Sequence, residues 1–194
     1  MKRIDSNRDT LHQNRRGIAI LWLVIWGSLF MTFFCVVLEI ATLWQAQVEV
    51  NNCLDAAALA AVNEWEASGS GSTQIPRNVG IAYAAANPIL GSTLTLTDNY
   101  NPGNLPNENN TCFGNFVFGG LTSLTPPFTF DAGADVTVVG VAPAVRAQAT
   151  VPVQGFCSAL FGFSFLNVSA SSTAYFDIGS GQPALARITT YTCP

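Results

Sequence analysis

Charged side chains are scarce in this 194-residue chain, which has 10% Asp, Glu, Lys and Arg and a single histidine, His12. A soluble globular protein normally has about 25% charged residues. Nucleic-acid binding is not expected, because phosphate contacts need many basic side chains and the formal net charge is −4. No nucleophile stands at a recognisable spacing from a base, and no Cys/His cluster has the spacing of a metal site. The composition therefore predicts a protein that is not an enzyme and needs neither a cofactor nor a metal ion.

The few charges are divided unevenly along the chain. Residues 1–16 contain five Lys and Arg against two Asp, whereas the chain after Ala41 contains three Arg against nine Asp and Glu. Between these parts, Ile18–Leu38 is a run of 21 residues without a charge. As a helix this run would span about 32 Å, close to the roughly 30 Å of a bilayer's hydrocarbon core. The pattern predicts a transmembrane helix at 18–38 that lies in membrane lipid.

Two other structures could contain a similar run. A buried core helix is usually shorter and polar along one side, and a cleaved secretory signal has a shorter apolar region that ends at a small-x-small site. Trp22, Trp26 and Trp44, with the basic residues before the run, are typical of membrane interfaces. We therefore expect a retained single-pass anchor. The positive-inside rule predicts that residues 1–17 are cytoplasmic and that the chain after Glu39 lies outside the cytoplasmic membrane.

The helix is predicted to continue outside the membrane over residues 39–67, because Ala41–Ala67 lacks both Pro and Gly and is rich in helix formers. Ser68-Gly69-Ser70-Gly71 is expected to end it. We expect an apolar stripe of this helix to pack on the protein's own sheet, with contact to another protein as the alternative. The stripe comprises Leu43, Val50, Leu54, Ala57, Ala61 and Trp65.

Residues 68–194 are predicted to form a β-rich extracytoplasmic domain with a single hydrophobic core. A short helix is expected from Pro76 to Asn87-Pro88, and residues 98–111 form a polar loop. Strands are predicted at 92–97, 115–118, 136–142, 145–153, 167–176 and 184–192, and those at 136–142 and 145–153 are expected to pair about Pro143. Apolar and polar residues alternate at 92–97, 145–153 and 167–176. The fold class is thus α+β: a long membrane-spanning helix that continues into a small antiparallel, pilin-like domain.

Cysteines and phenylalanines suggest two further features. Cys35 lies in the predicted span and is interpreted as a packing residue, whereas the other four cysteines are on the side expected to be oxidising and can pair in three ways. These four are Cys53, Cys112, Cys157 and Cys193. At least one disulfide is expected around Cys112 and Cys193, which flank the loop-rich region and the last strand.

The segment 155–166 is almost uncharged and contains Phe156, Phe161 and Phe163. Two roles are open for it. Its side chains either pack beneath the sheet, which we favour, or present an apolar patch on which a membrane or a partner protein docks.

Three stretches together resemble the TadE/TadG-like family of tight adherence (Tad, Flp) pilus assembly proteins. They are Arg15-Arg16-Gly17 before the apolar run, VEVNNCLDAAALAAV (48–62), and VRAQATVPVQGFCSALFGFSFLNVSASSTAYF (145–176). The Asn and Asp that recur before an Ala-rich tail in that family correspond to Asn51 and Asp55. The resemblance implies a bitopic protein of the bacterial inner membrane that builds or anchors an adhesive pilus. Its implied partners are other pilus-assembly proteins, pseudopilins or a second copy of itself.

One position departs from the pilins that a prepilin peptidase cleaves. Those proteins usually have Glu at the fifth residue after the cleaved Gly, and the fifth residue counted from Ile18 is Trp22. We therefore expect an uncleaved, short TadG-like form, which also lacks the D-x-S-x-S metal motif of a von Willebrand A module. The alternative is a membrane-tethered envelope binding or adhesion module unrelated to pili.

Overall fold

The structure is a computed structural model that describes residues 6–162 and 166–193, with the backbone alone for residues 6–16, 160 and 161. It is an α+β fold, as predicted. Its elements in chain order are α1 (Ser6–Ala67), α2 (Gln74–Ala86), β1 (Phe116–Ser123), β2 (Phe128–Asp131), β3 (Ala142–Val153), α3 (Phe156–Phe161), β4 (Leu166–Asp177), β5 (Gln182–Leu185) and β6 (Ile188–Thr192).

The chain divides into two compact units. The first unit consists of Met1–Thr42 and Gln154–Ser164, and it contains the first part of α1 together with α3. The second unit consists of Leu43–Val153 and Phe165–Pro194, and it contains the rest of α1, α2 and the strands of the sheet.

Helix α1 ends just before Gly69, which adopts the left-handed backbone conformation. The amide of Ser68 still donates to the Glu64 carbonyl at 3.0 Å, and the Ser70 amide then reaches back to the Trp65 carbonyl at 2.9 Å. Between them Gly69 has a φ of +75°, the conformation that satisfies the last carbonyls of a helix at little steric cost. The helix accordingly ends at Ala67, as the Ser-Gly pattern predicts.

In the second unit, the apolar stripe of α1 packs on the sheet. Five of its six residues are at most 1% exposed, and Leu43 is partly buried. The opposing surface includes Phe116 and Phe118 of β1, and the Trp65 ring meets Phe118 edge-on with ring centroids 5.0 Å apart. The stripe therefore forms the core of its own unit, which confirms the favoured interpretation.

Helix α2 approaches α1 closely because residue 80 is glycine. A Cβ at Gly80 would lie 2.7 Å from the Phe116 ring and 3.1 Å from the Ala57 carbonyl oxygen. Both distances are shorter than packed carbon atoms tolerate. The pattern predicted this helix, which begins two residues earlier than expected, at Gln74.

The sheet has the strand order β5-β4-β3-β1-β2-β6 and is mixed, so the expectation of a purely antiparallel sheet is wrong. Neighbouring strands are antiparallel except β2 and β6, which pair in parallel. The predicted strand at 184–192 is in fact two strands at opposite edges, joined only by Ala186 and Arg187. Because so short a connection spans only about 10 Å, the sheet must curl until its edges come close. The chain keeps its direction across the connection, and β6 consequently runs parallel to β2.

Two other predicted strands are absent from the sheet, among the residues described. Residues 92–97 form no ladder: Leu96 is buried in the core, and the Thr97 amide donates to the Asn115 side-chain oxygen at 2.9 Å. The apolar residues of this segment alternate because they pack on the core, although no strand pairs with the segment. Residues 136–140 form turns and a bend, and β3 instead runs through Pro143, which pairs with Gly120 of β1 beyond the end of the β4 ladder. A proline is tolerated where one edge of a strand is unpaired.

Strand β3 shows the predicted alternation. Val145, Ala147 and Ala149 are buried, whereas the three residues between and after them are partly or fully exposed. The opposite face of the sheet is covered by a second, smaller apolar cluster, so the expectation of a single core is also wrong. That cluster comprises Val117, Leu121, Phe130, Ala132, Ala142, Ala144 and Ala186.

Candidate membrane anchor and buried polar cluster

The first part of α1 exposes apolar side chains around its whole circumference. Every residue from Ile18 to Phe34 is exposed. Among the described residues, one helix is long and apolar enough to cross a membrane, and only 6% of its most apolar window is buried. A core helix of a soluble protein would be mostly buried. The exposure is therefore consistent with a single-pass membrane anchor.

Hydroxyl groups within the apolar run find acceptors inside the helix. The Ser28 hydroxyl donates to the Ile25 carbonyl at 2.9 Å, and the Thr32 hydroxyl donates to the Ser28 carbonyl at 2.9 Å. In a hydrocarbon environment an unsatisfied hydroxyl is costly, because no water is available as an alternative partner. Both residues are thus compatible with contact to lipid.

The end of the apolar run is joined to α3 within the first unit. The Oε2 atom of Glu39 accepts hydrogen bonds from the backbone amides of Cys157 at 3.2 Å and Ser158 at 3.4 Å. Gly155 leaves room for the Glu39 carboxylate, since a Cβ at this position would clash with it. Glu39 therefore satisfies amides of the first turn of α3, whose own chain offers them no acceptor.

The predicted docking residues have different positions. Asn51 is exposed and Asp55 half-buried, one turn apart on α1 in the second unit. Phe156 belongs to the first unit and is 59% exposed, so the favoured burial beneath the sheet is wrong for this residue. The Phe161 side chain and Phe163 lie outside the described residues.

The cysteines form one disulfide, between Cys112 and Cys193, with Cα atoms 5.9 Å apart. This confirms the expected bond, which ties the polar loop to the end of β6. Cys53 is reduced and buried, and its thiol donates to the Ala84 carbonyl at 3.4 Å. Burial raises the pKa of this thiol, so it remains protonated near neutral pH. Cys35 and Cys157 are also reduced and buried.

A buried cationic side chain organises the polar loop, and no sequence motif marks it as important. Arg77, in the first turn of α2, has no exposed surface. Its guanidinium lies 4.5 Å from the centre of the Phe118 ring, on which it stacks. Burial lowers the pKa of Arg77 to about 10, while Asp98, Glu108 and Tyr100 oppose that shift. Its hydrogen-bond acceptors, at 2.7 to 3.4 Å, are the carbonyl oxygens of Asp98, Phe116, Asn107 and Glu108, the Asn109 side-chain oxygen and the Thr73 hydroxyl.

Glu108 is the acidic member of the same cluster and is 9% exposed. Its Oε2 atom accepts hydrogen bonds from the amide of Thr73 at 2.7 Å and from its hydroxyl at 2.9 Å, and the Tyr100 hydroxyl donates to Oε1 at 3.2 Å. Burial raises the pKa of Glu108, but the hydrogen bonds from Thr73, Tyr100 and Ser72 outweigh it and hold the pKa below its usual value. The carboxylate is thus ionised and anchors the start of α2.

Asparagines of the polar loop substitute for missing strand partners. The Asn109 side chain donates to the Phe118 carbonyl at 2.7 Å and accepts from the Phe118 amide at 2.9 Å, as a neighbouring strand would. Asn107 donates to the carbonyls of Ala132 and Ala134, both at 2.9 Å. The buried cluster of Arg77, Glu108 and these amides is internally bonded, which defines a structural centre of the second unit.

The surface of the sheet carries a shallow polar groove beside Phe113, which is 90% exposed. Its lining offers amide and hydroxyl groups from Asn115, Gln148, Thr150, Ser169 and Ser171. In the described part of the chain, no three His, Cys, Asp or Glu side chains are grouped closely enough to hold a metal ion.

Comparison with protein-family models, curated proteins and solved structures gives no match to this chain.

Proposed function

We propose that this protein is a non-enzymatic, single-pass component of the bacterial inner membrane that takes part in assembling or anchoring a Tad/Flp-type pilus. The observation that carries the membrane part of the proposal is the exposed apolar surface from Ile18 to Phe34. The pilus part rests on the three stretches that resemble TadE/TadG-like proteins. The protein acts through contacts with other envelope proteins.

Two observations, the charge before the apolar run and the disulfide, support the proposed orientation. Residues 1–16 have a net charge of +3, and basic flanks of a span normally stay in the cytoplasm. The Cys112–Cys193 bond belongs to the second unit, and disulfides persist in oxidising compartments outside the cytoplasm. Both observations support an extracytoplasmic second unit.

Reporter fusions at two positions test the orientation. Alkaline phosphatase, which is active only when exported, should be active when fused after Cys193 and inactive when fused after Arg16. A fluorescent protein that matures only in the cytoplasm should give the opposite pair of results. Phosphatase activity at Arg16, or none at Cys193, would contradict the proposed topology.

A second experiment tests the role in pili. Deleting the gene in its own host should abolish or strongly reduce surface fibres, and the native gene supplied in trans should restore them. A complementing gene with both Asn51→Ala and Asp55→Ala should restore fewer fibres at an equal protein level, because these surface residues are the candidate contacts on α1. The control is Gln182→Ala, an exposed position in β5. Unchanged fibres in the deletion strain would favour the adhesion module that is unrelated to pili.

A further inference from the structure

Cys35 is a buried residue in an exposed stretch of helix. It is 8% exposed, whereas Phe34 and Val36 on either side are 56% and 51% exposed. Cys157, in the first turn of α3, is 6% exposed, and its thiol is in contact with the Cys35 thiol. Both thiols are therefore buried and adjacent within the first unit.

Glu39 fixes this arrangement through the backbone. It lies one helical turn after Cys35, so both side chains are on the same face of α1. Its carboxylate accepts the amide hydrogen of Cys157 itself, at 3.2 Å, and that of Ser158 at 3.4 Å. The backbone of Cys157 is thus held against the turn of α1 that contains Cys35.

We propose that Cys35 and Cys157 form a second disulfide during biogenesis, on the premise, taken from the proposed function, that this end of the apolar run faces an oxidising compartment. The oxidant is the disulfide of an envelope thiol oxidoreductase. The Cys157 thiolate attacks one sulfur of that disulfide and forms a mixed disulfide, and the Cys35 thiolate then displaces the oxidoreductase sulfur. One protein disulfide forms, the donor disulfide is reduced to two thiols, and the two protons end on those thiols.

The attack by Cys157 on the donor disulfide precedes the docking of α3, and docking then brings the mixed disulfide to Cys35. In the docked state, burial and the neighbouring Cys35 and Glu39 groups raise the pKa of Cys157 to about 11, which leaves little thiolate to react. The same burial then shields the completed bond from reducing thiols. Cys53 does not compete, because its buried thiol is engaged by the Ala84 carbonyl of the second unit.

Counting free thiols in the full chain tests the proposal. The protein is extracted from membranes with detergent, denatured in iodoacetamide without reductant, and weighed intact. We expect one alkyl group, on Cys53, and a linked peptide pair that contains Cys35 and Cys157 after digestion. Cys35→Ser and Cys157→Ser should each give two alkyl groups, and the matched control Cys53→Ser should give none.

The possible counts separate the two proposals. Three alkyl groups on the native chain, with Cys112–Cys193 intact, would overturn the second disulfide and leave the topology standing. Five alkyl groups would overturn both, since the second unit would then lie in a reducing compartment. A linked peptide that joins Cys53 to either partner would also overturn the assignment, and the native chain alone decides these outcomes if a variant fails to fold.

Discussion

Arg77 illustrates how a single side chain can hold in place a loop that has no regular secondary structure. Its guanidinium has five N–H groups in a rigid fork, and the acceptors around it come from residues 21 to 39 positions away as well as from Thr73. Backbone carbonyls that would otherwise be buried without donors are thereby satisfied. Loss of the guanidinium leaves these carbonyls unpaired, and this lowers the free energy of unfolding by more than the hydrogen bonds had contributed to it.

Replacing Arg77 tests this role. Arg77→Met keeps much of the volume but removes every donor, and we expect a loss of about 3–5 kcal/mol in the free energy of unfolding. For a chain of this size that corresponds to a fall in Tm of at least about 6 °C, measured by near-ultraviolet circular dichroism of the full chain in detergent. The control is Arg187→Met, at an exposed position, which should change stability by no more than about 0.5 kcal/mol. Equal effects of the two substitutions would contradict the role of Arg77.

Glu108 leads to a prediction about pH. Its pKa is lower in the folded chain than in the unfolded chain, so its carboxylate contributes stability above the unfolded pKa of about 4.3, and that contribution is lost as pH falls through the folded pKa. Glu108→Gln should therefore lower Tm at pH 7, and the difference from the native chain should shrink between about pH 5 and pH 3. Glu49, Asp135 and Asp177 also have lowered pKa values, but they are unchanged in both proteins.

Tyr100→Phe is the matched control for the charge of Glu108. It removes one hydroxyl donor and keeps the carboxylate, so most of the decline in stability towards acid should remain. A difference between Glu108→Gln and the native chain that is constant over the whole pH range would show that the ionised carboxylate contributes no stability.

At the scale of elements, the local sequence pattern predicts well those features that depend on which face of a helix or strand is buried. The end of α1 at Ala67 and the alternation of β3 both follow from residues close in sequence. The position of β6 and the role of Arg77 do not, because each depends on partners far along the chain. The predicted strand at 92–97 is wrong for the same reason: apolar and polar residues alternate there, but no strand lies beside them. The contact between α3 and Glu39 joins residues 118 positions apart and leaves no sequence pattern.

The Cys112–Cys193 bond joins the polar loop to the last strand across 81 positions. Closing a loop of that length removes much of the unfolded chain's entropy, and disulfides typically contribute about 2–4 kcal/mol. The double substitution Cys112→Ser with Cys193→Ser should therefore lower Tm by roughly 4–16 °C. Cys53→Ala serves as the comparison, because it changes a thiol that lies outside any disulfide while leaving this bond in place. A double variant with unchanged Tm would show that the loop is already held by its hydrogen bonds.

At the scale of the whole molecule, the exposed apolar surface of α1 leads to a prediction about where the protein resides. On insertion scales, an Arg at the bilayer centre costs about 2.5–3.5 kcal/mol, so two such residues cost roughly 5–7 kcal/mol if their effects add. Leu29 and Phe30 are near the middle of the run and are 57% and 67% exposed. Leu29→Arg with Phe30→Arg should shift most of the protein from the carbonate-resistant membrane pellet to the supernatant.

The matched control carries the same change outside the run. Leu105 is 75% exposed in the polar loop, so Leu105→Arg adds a charge where water already reaches the side chain and should leave the protein in the pellet. Intact mass of the native protein completes the test, because a retained anchor requires the apolar run to be present in the mature chain. A mature protein that begins at Ile18 would indicate peptidase processing and overturn the uncleaved form. One that begins after Leu38 would mean that the run is a removed signal, and the exposed helix would then have no lipid to contact.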